Sequence, residues 1–283
     1  MNILGKTRVL GVFGHPISHS LSPAIHNAAI EAMGIDYVYV PFHVLPEDLE
    51  RAVAGIRAMN IAGINVTIPH KESVIAYLDE VSERSMRIHS VNTIINRDGY
   101  LVGDTTDGPG FLKSAESEWG KLDGRRVLIL GAGGSAKAVS FALAEIGCDI
   151  AIANRTPERA TQLAEGLSSV FGRGIARAVE MDRQTLADEV KRADLLVNTT
   201  SVGMTPDIES VPIPAELLHP NLMVYDLVYN PPVTRLVSRA REVGARAVNG
   251  LGMLVHQGAL SLEMWTGRQV PINVMEEAAA VVL

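Results

Sequence analysis

The chain has 283 residues, 47% of them hydrophobic, so it can bury a large core and form one large or two medium domains. Its formal net charge of −7 disfavours nucleic acids and anionic membranes as partners, since both bind a basic protein face. The single cysteine, Cys148, cannot form an internal disulfide, and no apolar run resembles a signal peptide, so we expect a cytoplasmic protein.

The first part of the chain predicts alternating strands and helices. An apolar run of strand length covers Arg8 to Gly14, and Ser22-Pro23 is a typical helix start. A strand over Tyr37 to Val44, a helix over Pro46 to Met59 and a strand at Asn65 follow. This β-α-β-α-β order predicts a mostly parallel sheet with helical crossovers.

A loop after the first predicted strand carries Ser18 and Ser20. In an extended backbone, side chains two residues apart face the same way, so both hydroxyls could hold a carboxylate or a similar oxyanion. The alternative is a turn in which the hydroxyls bind only neighbouring backbone groups, which is the commoner case for an isolated pair.

The strand at Asn65 leads to a lysine. Alternation predicts that Val66 and Ile68 are buried while Asn65 and Thr67 present polar groups on the other side. Lys71 follows at the strand end, where α/β proteins bind small molecules. A lysine partly withdrawn from water loses some preference for its charged form and can then exchange a proton. An ordinary surface lysine is the alternative.

Next, an Asp98-Gly99 turn predicts a β-hairpin, and two acids follow it. We assign Asp104 to capping the predicted helix over residues 108–119. Asp107 is the site candidate, because a carboxylate near Lys71 would orient both the lysine and a substrate hydroxyl.

The second half opens on a strand, Arg126 to Leu130, that runs into a Gly-x-Gly-x-x-Ala turn beginning at Gly131 and ending at Ala136. The glycines allow a pyrophosphate to approach backbone N–H groups at a helix start, and Ala136 lets the helix pack close to the strand. A second strand, Asp149 to Ala153, completes a βαβ unit. We therefore predict dinucleotide binding, against the alternative of a tight structural turn.

The cofactor preference is predicted from the residues after this second strand. A protein that binds NAD usually places an acid here for the ribose 2′-hydroxyl, but the sequence reads Asn154-Arg155-Thr156. Arg155 and Arg159 lie four residues apart at a helix start with Thr156 as N-cap, so two guanidiniums could converge on a 2′-phosphate. NADP is therefore preferred over NAD. The alternative is a solvated helix start with surface arginines.

No metal is expected. His15 and His19 lie four residues apart, but Pro16 disfavours a helical metal-binding pair and no carboxylate cluster accompanies them.

These motifs together resemble the shikimate dehydrogenase family over nearly the whole chain. The matching stretches are Gly14 to Pro23, Asn65 to Lys71, Val91-Asn92-Thr93, Thr106-Asp107-Gly108, the glycine turn, Asn154-Arg155-Thr156 and Leu251 to Gln257. The resemblance implies reduction of 3-dehydroshikimate to shikimate with NADPH, a step of aromatic amino acid (chorismate) biosynthesis. The partner is then a small molecule, and the protein is a monomer or homodimer.

The resemblance also implies an α/β architecture of two domains. A substrate-binding domain over residues 1–108, completed by C-terminal helices in 251–283, precedes an NADP-binding Rossmann domain over 109–250. A cleft between the domains is expected to close by hinges near 106–110 and 249–252.

Residue roles carry over by position. Lys71 and Asp107 match the catalytic pair, and Ser18, Ser20 and Tyr229 match the groups that hold the substrate carboxylate. The groups that bind ring hydroxyls correspond to Asn65, Thr67, Asn92 and Gln257. The predicted cofactor-binding set is Gly131, Ala132, Gly133, Gly134, Ser135, Ala136, Asn154, Arg155, Thr156, Arg159, Thr199, Leu227, Gly250 and Met253.

Two alternatives remain at this stage: a dehydrogenase that also accepts quinate, and an NADPH-responsive binding protein without catalysis. His89, Ser90 and Thr105 depart from the family pattern around the hairpin that carries Asn92 and Asp107, so ring-hydroxyl specificity is the least constrained prediction. Sequence also leaves open whether Asp107 moves a proton or only orients Lys71.

Overall fold

The computed structural model describes residues 3–283, which form two compact α/β units. The first unit extends to Gly110 and is completed by Leu254–Val282, and the second comprises Phe111–Met253. Within the described residues, no helix combines the length and the apolar composition needed to cross a bilayer.

The first unit contains six strands, numbered β1 to β6 along the chain. Its elements are β1 (Arg8–Gly14), α1 (Ser22–Ala32), β2 (Tyr37–His43), α2 (Leu49–Ala58), β3 (Gly63–Val66), β4 (Glu80–Val81), α3 (Glu83–Ile88), β5 (Thr93–Arg97), β6 (Tyr100–Asp104) and the start of α4 (Asp107–Trp119). Short 3₁₀ helices cover Pro46–Asp48 and Ser73–Tyr77. The predicted helix over Pro46 to Met59 is therefore a 3₁₀ turn that continues into α2.

The second unit alternates strand and helix. Its elements are β7 (Arg126–Leu130), α5 (Gly134–Glu145), β8 (Asp149–Ala153), α6 (Pro157–Phe171), β9 (Ala176–Val179), α7 (Arg183–Arg192), β10 (Leu195–Asn198), a 3₁₀ helix (Ala215–Leu217), β11 (Met223–Asp226), α8 (Arg235–Glu242) and β12 (Arg246–Val248). Helix α9 (Leu251–Thr266) begins in this unit and continues into the first, which α10 (Ile272–Val282) completes.

The sheet of the first unit has the order β2-β1-β3-β5-β6-β4. Strand β1 pairs in parallel with β2 and β3, whereas β5 is antiparallel to both β3 and β6. The β5–β6 pair is the predicted hairpin, whose turn residues Asp98 and Gly99 both have positive φ, as a type I′ hairpin turn requires. Strand β3 therefore lies inside the sheet, with its carboxyl end beside that of β1.

Strand β3 is shorter than predicted and does not alternate. All four of its residues are buried, because strands on both sides and packing on both faces leave no solvated surface. The sheet ends at Val66, and a turn in which the His70 N–H donates to the Thr67 carbonyl carries the chain away. The predicted burial of Ile68 is wrong, since its side chain is 73% exposed.

The sheet of the second unit is entirely parallel, in the order β12-β11-β10-β7-β8-β9. This is the doubly wound order of a Rossmann fold, in which the two halves of the sheet diverge from the first strand, β7. Leu128, Leu196 and Val224 on neighbouring strands are buried in one core cluster. The fold class predicted from the sequence is confirmed, although β9 was not predicted.

Candidate active site

A lysine and an aspartate form a partly buried ion pair in the first unit. Lys71 follows the turn after β3, and Asp107 is the first residue of α4, three residues beyond the end of β6. Lys71 Nζ lies 2.6 Å from Asp107 Oδ2, and the two side chains are only 18% and 6% exposed. A carboxylate at a helix N-terminus is stabilised by the helix dipole, and the lysine is held with limited access to water.

Asn92 holds the other side of this carboxylate. Its Nδ2 donates to Asp107 Oδ1 over 2.8 Å and lies 3.2 Å from Gln257 Oε1. Its Oδ1 accepts from the backbone N–H of Thr106 at 2.8 Å. The amide therefore ties the hairpin, the start of α4 and helix α9 into one arrangement around Asp107.

Asn65 has a defined amide orientation. The Tyr39 hydroxyl donates to Asn65 Oδ1 at 2.8 Å, and Asn65 Nδ2 lies 3.1 Å from the Asn92 carbonyl and 2.9 Å from Ser261 Oγ. All the hydrogens of this amide are used within the protein, so the oxygen is the atom with hydrogen-bonding capacity to spare.

The hydrogen-bond donors and acceptors that protein contacts leave unused determine what the cluster can bind. Lys71 has two further N–H groups besides the one bound to Asp107. Gln257 Nε2 donates one hydrogen to the Leu254 carbonyl and retains another. Asp107 is acceptor-only in its ionised form. The cluster therefore offers an ammonium to a polarised oxygen and a carboxylate to a neighbouring hydroxyl.

The other substrate-site candidates of this unit lie at the same edge of the sheet. Ser18 is exposed and Ser20 half-buried in the loop after β1. Ser20 Oγ accepts from the Ser22 N–H at 3.3 Å, and Ser18 Oγ lies 3.2 Å from His19 Nδ1. Thr67 follows β3 and is half-buried. Local turn bonding is therefore present at Ser20, and its hydroxyl hydrogen remains available.

Asp104 does not have the predicted capping role. It is the last residue of β6, and its Oδ1 accepts from Ser82 Oγ at 2.6 Å and from the Thr105 N–H at 2.7 Å. Helix α4 begins at Asp107, with the Gly110 N–H donating to the Thr106 carbonyl. The strand extends further than expected, so the side chain of Asp104 faces α3 and its N-cap residue instead.

In the second unit, the glycine turn forms an open cradle. Gly131 has φ +109°, and a Cβ there would meet the Thr199 hydroxyl, so only glycine fits. Gly133 is the N-cap of α5 and makes no side-chain cap bond. A Cβ on Gly133 or Gly134 would meet open space, so a phosphate group can approach the first N–H groups of α5. Ala136 is buried against the sheet, whereas Ala132 and Ser135 are half-buried.

The other predicted cofactor residues also lie just beyond the carboxyl ends of strands. Asn154 follows β8, Thr199 follows β10, Leu227 follows β11, and Gly250 is two residues beyond β12. Gly250 packs against the Leu227 carbonyl so closely that no Cβ would fit. This is the edge at which ligands bind in open α/β sheets.

The predicted 2′-phosphate residues are exposed at the start of α6. Arg155 and Arg159 make no ion pair with any residue in the range 3–283, so both guanidiniums are available. Thr156 is the N-cap residue, as predicted, but its side chain makes no cap bond. Asn154 Nδ2 donates to the Thr156 carbonyl at 2.9 Å and braces this turn.

Tyr229 lies in the second unit, in the segment after β11. Burial raises the pKa of its phenol. The segment is anchored by Asp226, which accepts from Asn198 Nδ2 at 2.9 Å and from Thr234 Oγ1 at 2.6 Å. Burial raises the pKa of the Asp226 carboxyl above its usual value. The role of Tyr229 stays a prediction.

Several residues of the cluster were missed by sequence reasoning. Ser261 lies one helical turn beyond Gln257, as Gln257 lies one turn beyond Met253, so extending that face of α9 would have found it. Tyr39 gave no signal, because only sheet pairing places β2 and β3 on either side of β1. In the described part of the chain, no three His, Cys, Asp or Glu side chains are placed to hold a metal ion.

Family models of known proteins match three stretches of the chain. Residues 12–94 match the family model of the shikimate dehydrogenase substrate binding domain. Residues 113–244 match that of shikimate / quinate 5-dehydrogenase, and residues 250–280 match the shikimate 5'-dehydrogenase C-terminal domain.

Curated and solved relatives cover nearly the whole chain. The shikimate dehydrogenase (NADP(+)) of Moorella thermoacetica is 47% identical over 279 residues, which are 98% of this chain and 94% of that protein. A crystal structure of shikimate dehydrogenase with NADP+ is 41% identical, with a TM-score of 0.95, and covers 99% of this chain and 97% of that one. The Thermus thermophilus enzyme with NADP(H) and shikimate is 40% identical, with a TM-score of 0.89, covering 98% of this chain and 100% of that one. The chain belongs to the shikimate dehydrogenase family.

Proposed function

We propose that this enzyme catalyses the reversible, NADPH-dependent reduction of 3-dehydroshikimate to shikimate, a step of aromatic amino acid (chorismate) biosynthesis. The ion pair between Lys71 and Asp107 carries the proposal, because it places an ammonium and a carboxylate where a carbonyl and its neighbouring hydroxyl can meet them. Membership of the family supports the choice of substrate and cofactor.

The reaction needs stabilisation of negative charge on the ketone oxygen. NADPH, when bound, supplies the hydride that adds to the carbonyl carbon. A free N–H of Lys71 hydrogen-bonds to the carbonyl oxygen, stabilises the developing charge and delivers the proton. Asp107 keeps the ammonium aimed through its 2.6 Å contact, and its remaining lone pairs accept from the adjacent ring hydroxyl.

Substrate binding follows from the polar groups around this pair. Asn65, Thr67, Asn92 and Gln257 bind the ring hydroxyls, and the buried amides among them are already fixed by protein contacts, so little ordering is needed on binding. Ser18, Ser20 and Tyr229 hold the ring carboxylate. The hydroxyl groups of these residues can donate hydrogen bonds to the carboxylate without a buried cation.

The domains are assigned accordingly. Residues 1–108, with helices from 251–283, form the substrate-binding domain, and residues 109–250 form the NADP-binding domain. The open N-terminus of α5 suits a pyrophosphate, and the unpaired guanidiniums of Arg155 and Arg159 suit a 2′-phosphate. The other cofactor contacts are assigned to Ala132, Ser135, Asn154, Thr156, Thr199, Leu227, Gly250 and Met253.

One assay tests the proposal. The purified chain is mixed with shikimate and NADP⁺, and the near-ultraviolet absorbance that NADPH gains on hydride transfer is followed. We expect turnover that is far slower with quinate or with NAD⁺. Binding of NADPH without turnover of either substrate would instead indicate a non-catalytic binding protein, and equal rates with quinate would indicate dual specificity.

We further propose that the enzyme acts in the cytoplasm as a monomer or homodimer. Burial raises the pKa of the lone thiol, Cys148, to about 11, so it stays protonated and unreactive.

A further inference from the structure

Ser261 is a buried serine on α9 that touches four groups of the site cluster. Its side chain has no exposed surface. Its Oγ lies 3.0 Å from the Gln257 carbonyl, 2.9 Å from Asn65 Nδ2, 2.9 Å from Thr93 Oγ1 and 3.2 Å from Thr106 Oγ1. We infer that Ser261 is a positioning residue that helps to hold the Asn65 amide in one orientation and thereby contributes to ring-hydroxyl selectivity.

The single hydroxyl hydrogen decides the direction of these bonds. A helical serine readily donates to the carbonyl four residues earlier, here that of Gln257, and the geometry allows this at 3.0 Å. The oxygen of Ser261 then acts as an acceptor toward Asn65 Nδ2. Asn65 Nδ2 is a donor, so this acceptor satisfies one of its two hydrogens, and the Asn92 carbonyl satisfies the second.

This arrangement leaves Asn65 in one of its two amide orientations. The Tyr39 hydroxyl donates to Asn65 Oδ1 on the opposite side, so rotation of the amide by half a turn would place its NH₂ group against that donor and its oxygen against the Asn92 carbonyl. The atom that remains able to bind a ligand is therefore Oδ1, which accepts from a substrate hydroxyl.

The same hydroxyl is connected to Asn92. Thr93 Oγ1 and Thr106 Oγ1, which both contact Ser261, also lie 2.9 Å and 3.2 Å from Asn92 Oδ1. Asn92 Oδ1 is thus surrounded by hydroxyl groups, and its Nδ2 points to Asp107. Removing Ser261 Oγ takes away a direct partner of Asn65 and a contact of the two threonines that bind Asn92, while Lys71 and Asp107 stay in contact.

The inference rests on the proposed function, and a substrate series tests it. Wild type and Ser261→Ala are assayed with NADP⁺ and shikimate, 4-deoxyshikimate or 5-deoxyshikimate. In the wild type, loss of the ring hydroxyl that donates to Asn65 Oδ1 should lower kcat/KM about tenfold, because one hydrogen bond to the substrate is lost. In Ser261→Ala this penalty should shrink to about twofold, with a raised KM for shikimate and an unchanged KM for NADP⁺.

Ser140→Ala is the matched control. Ser140 is a fully buried helical serine of the second unit, on α5, and its hydroxyl has no hydrogen-bond partner within residues 3–283. This variant should keep the wild-type selectivity. A Ser261→Ala enzyme that loses kcat/KM by one common factor for all three substrates would overturn the inference, because a merely structural role has that effect.

A second readout does not depend on turnover. In protein labelled with ¹⁵N-asparagine, the side-chain NH₂ signals of Asn65, identified by their loss in Asn65→Asp, should exchange slowly with solvent in the wild type and much faster in Ser261→Ala. Unchanged exchange would overturn the positioning role. A wild type inactive with shikimate would instead refute the proposed function, and the exchange measurement would still decide the role of Ser261.

Discussion

Lys71 and Asp107 lie 36 residues apart in the chain, and the sheet brings them into contact. Lys71 comes after β3 and Asp107 after β6, with the hairpin strand β5 paired between them. The Lys71 carbonyl accepts from the Val91 N–H at 2.8 Å, which anchors the lysine backbone to the start of this hairpin. Backbone pairing therefore brings the two residues together, and the Asn92 side chain then holds the carboxylate.

Replacing Lys71 tests its catalytic role. We expect Lys71→Ala to lower kcat by about 100-fold to 10,000-fold with little change in the KM for shikimate, because the interaction forms mainly in the transition state. Lys113→Ala, at an exposed position of α4, is the control and should retain full activity. A near-normal kcat in the Lys71 variant would remove this residue from the mechanism.

Arg155 tests the cofactor assignment. Arg155→Ala should raise the KM for NADPH by about tenfold or more, since a charged hydrogen bond to the 2′-phosphate is lost, and should barely change the KM for NADH. Arg173→Ala, an exposed arginine beyond α6, should alter neither constant. Equal losses for both cofactors would refute the assignment.

At the scale of elements, the approach of α4 to α9 fixes the geometry around Asp107. A Cβ on Gly110 would lie 2.7 Å from Gln257 Cβ and 2.7 Å from its backbone nitrogen. The two helices therefore meet almost backbone to backbone, which no larger residue permits. Helix α4 carries Asp107 in its first turn, and helix α9 carries Gln257.

Gly110→Ala should separate these helices. We expect a loss of about 1–3 kcal/mol in the free energy of unfolding from overpacking, with a reduced kcat because Asp107 and Gln257 move apart. Gly166→Ala is the control, since a Cβ there meets nothing within 4 Å in helix α6. It should stabilise the protein by about 1 kcal/mol through helix propensity alone. Urea unfolding and steady-state kinetics measure both effects, and wild-type kcat in Gly110→Ala would contradict the argument.

At the scale of the whole molecule, the buried histidine of α1 makes folding stability depend on pH. His26 stacks on Tyr39 with ring centroids 4.0 Å apart, and its Nδ1 lies 2.8 Å from the Ser22 carbonyl. Burial lowers the pKa of His26 from 6.5 to about 4. The unfolded chain therefore binds a proton at this residue at a higher pH than the folded chain does.

The sign of the effect follows from this difference. The stability that depends on neutral His26 is fully present above the unfolded pKa of 6.5 and is lost as the pH falls toward about 4. Between about pH 7 and about pH 5 we expect His26 to account for a loss of about 2 kcal/mol in the free energy of unfolding. Glutamine does not titrate, so this loss of about 2 kcal/mol should be absent from the free energy of unfolding of His26→Gln, measured by urea unfolding at both pH values. A pH dependence as steep in His26→Gln as in the wild type would contradict this account.

The sequence by itself determined the fold class and most elements. Strand β1, the start of α1, the hairpin turn at Asp98-Gly99 and the βαβ unit at the glycine turn were predicted because their signals are local. Apolar runs, turn residues and helix starts depend on neighbours a few residues away. The motifs also identified Lys71 and Asp107 as candidates, since the order of short motifs along a chain is a one-dimensional property.

Only the tertiary structure decided how the candidates are connected. The burial of all of β3, the exposure of Ile68 and the bonding of Asp104 to Ser82 depend on which strands become neighbours, and alternation cannot encode this. Tyr39 and Ser261 orient Asn65 from β2 and α9, 26 and 196 residues away along the chain. Hydrogen-bond partners at such separations are set by packing of distant elements, so composition, spacing and periodicity carry no record of them.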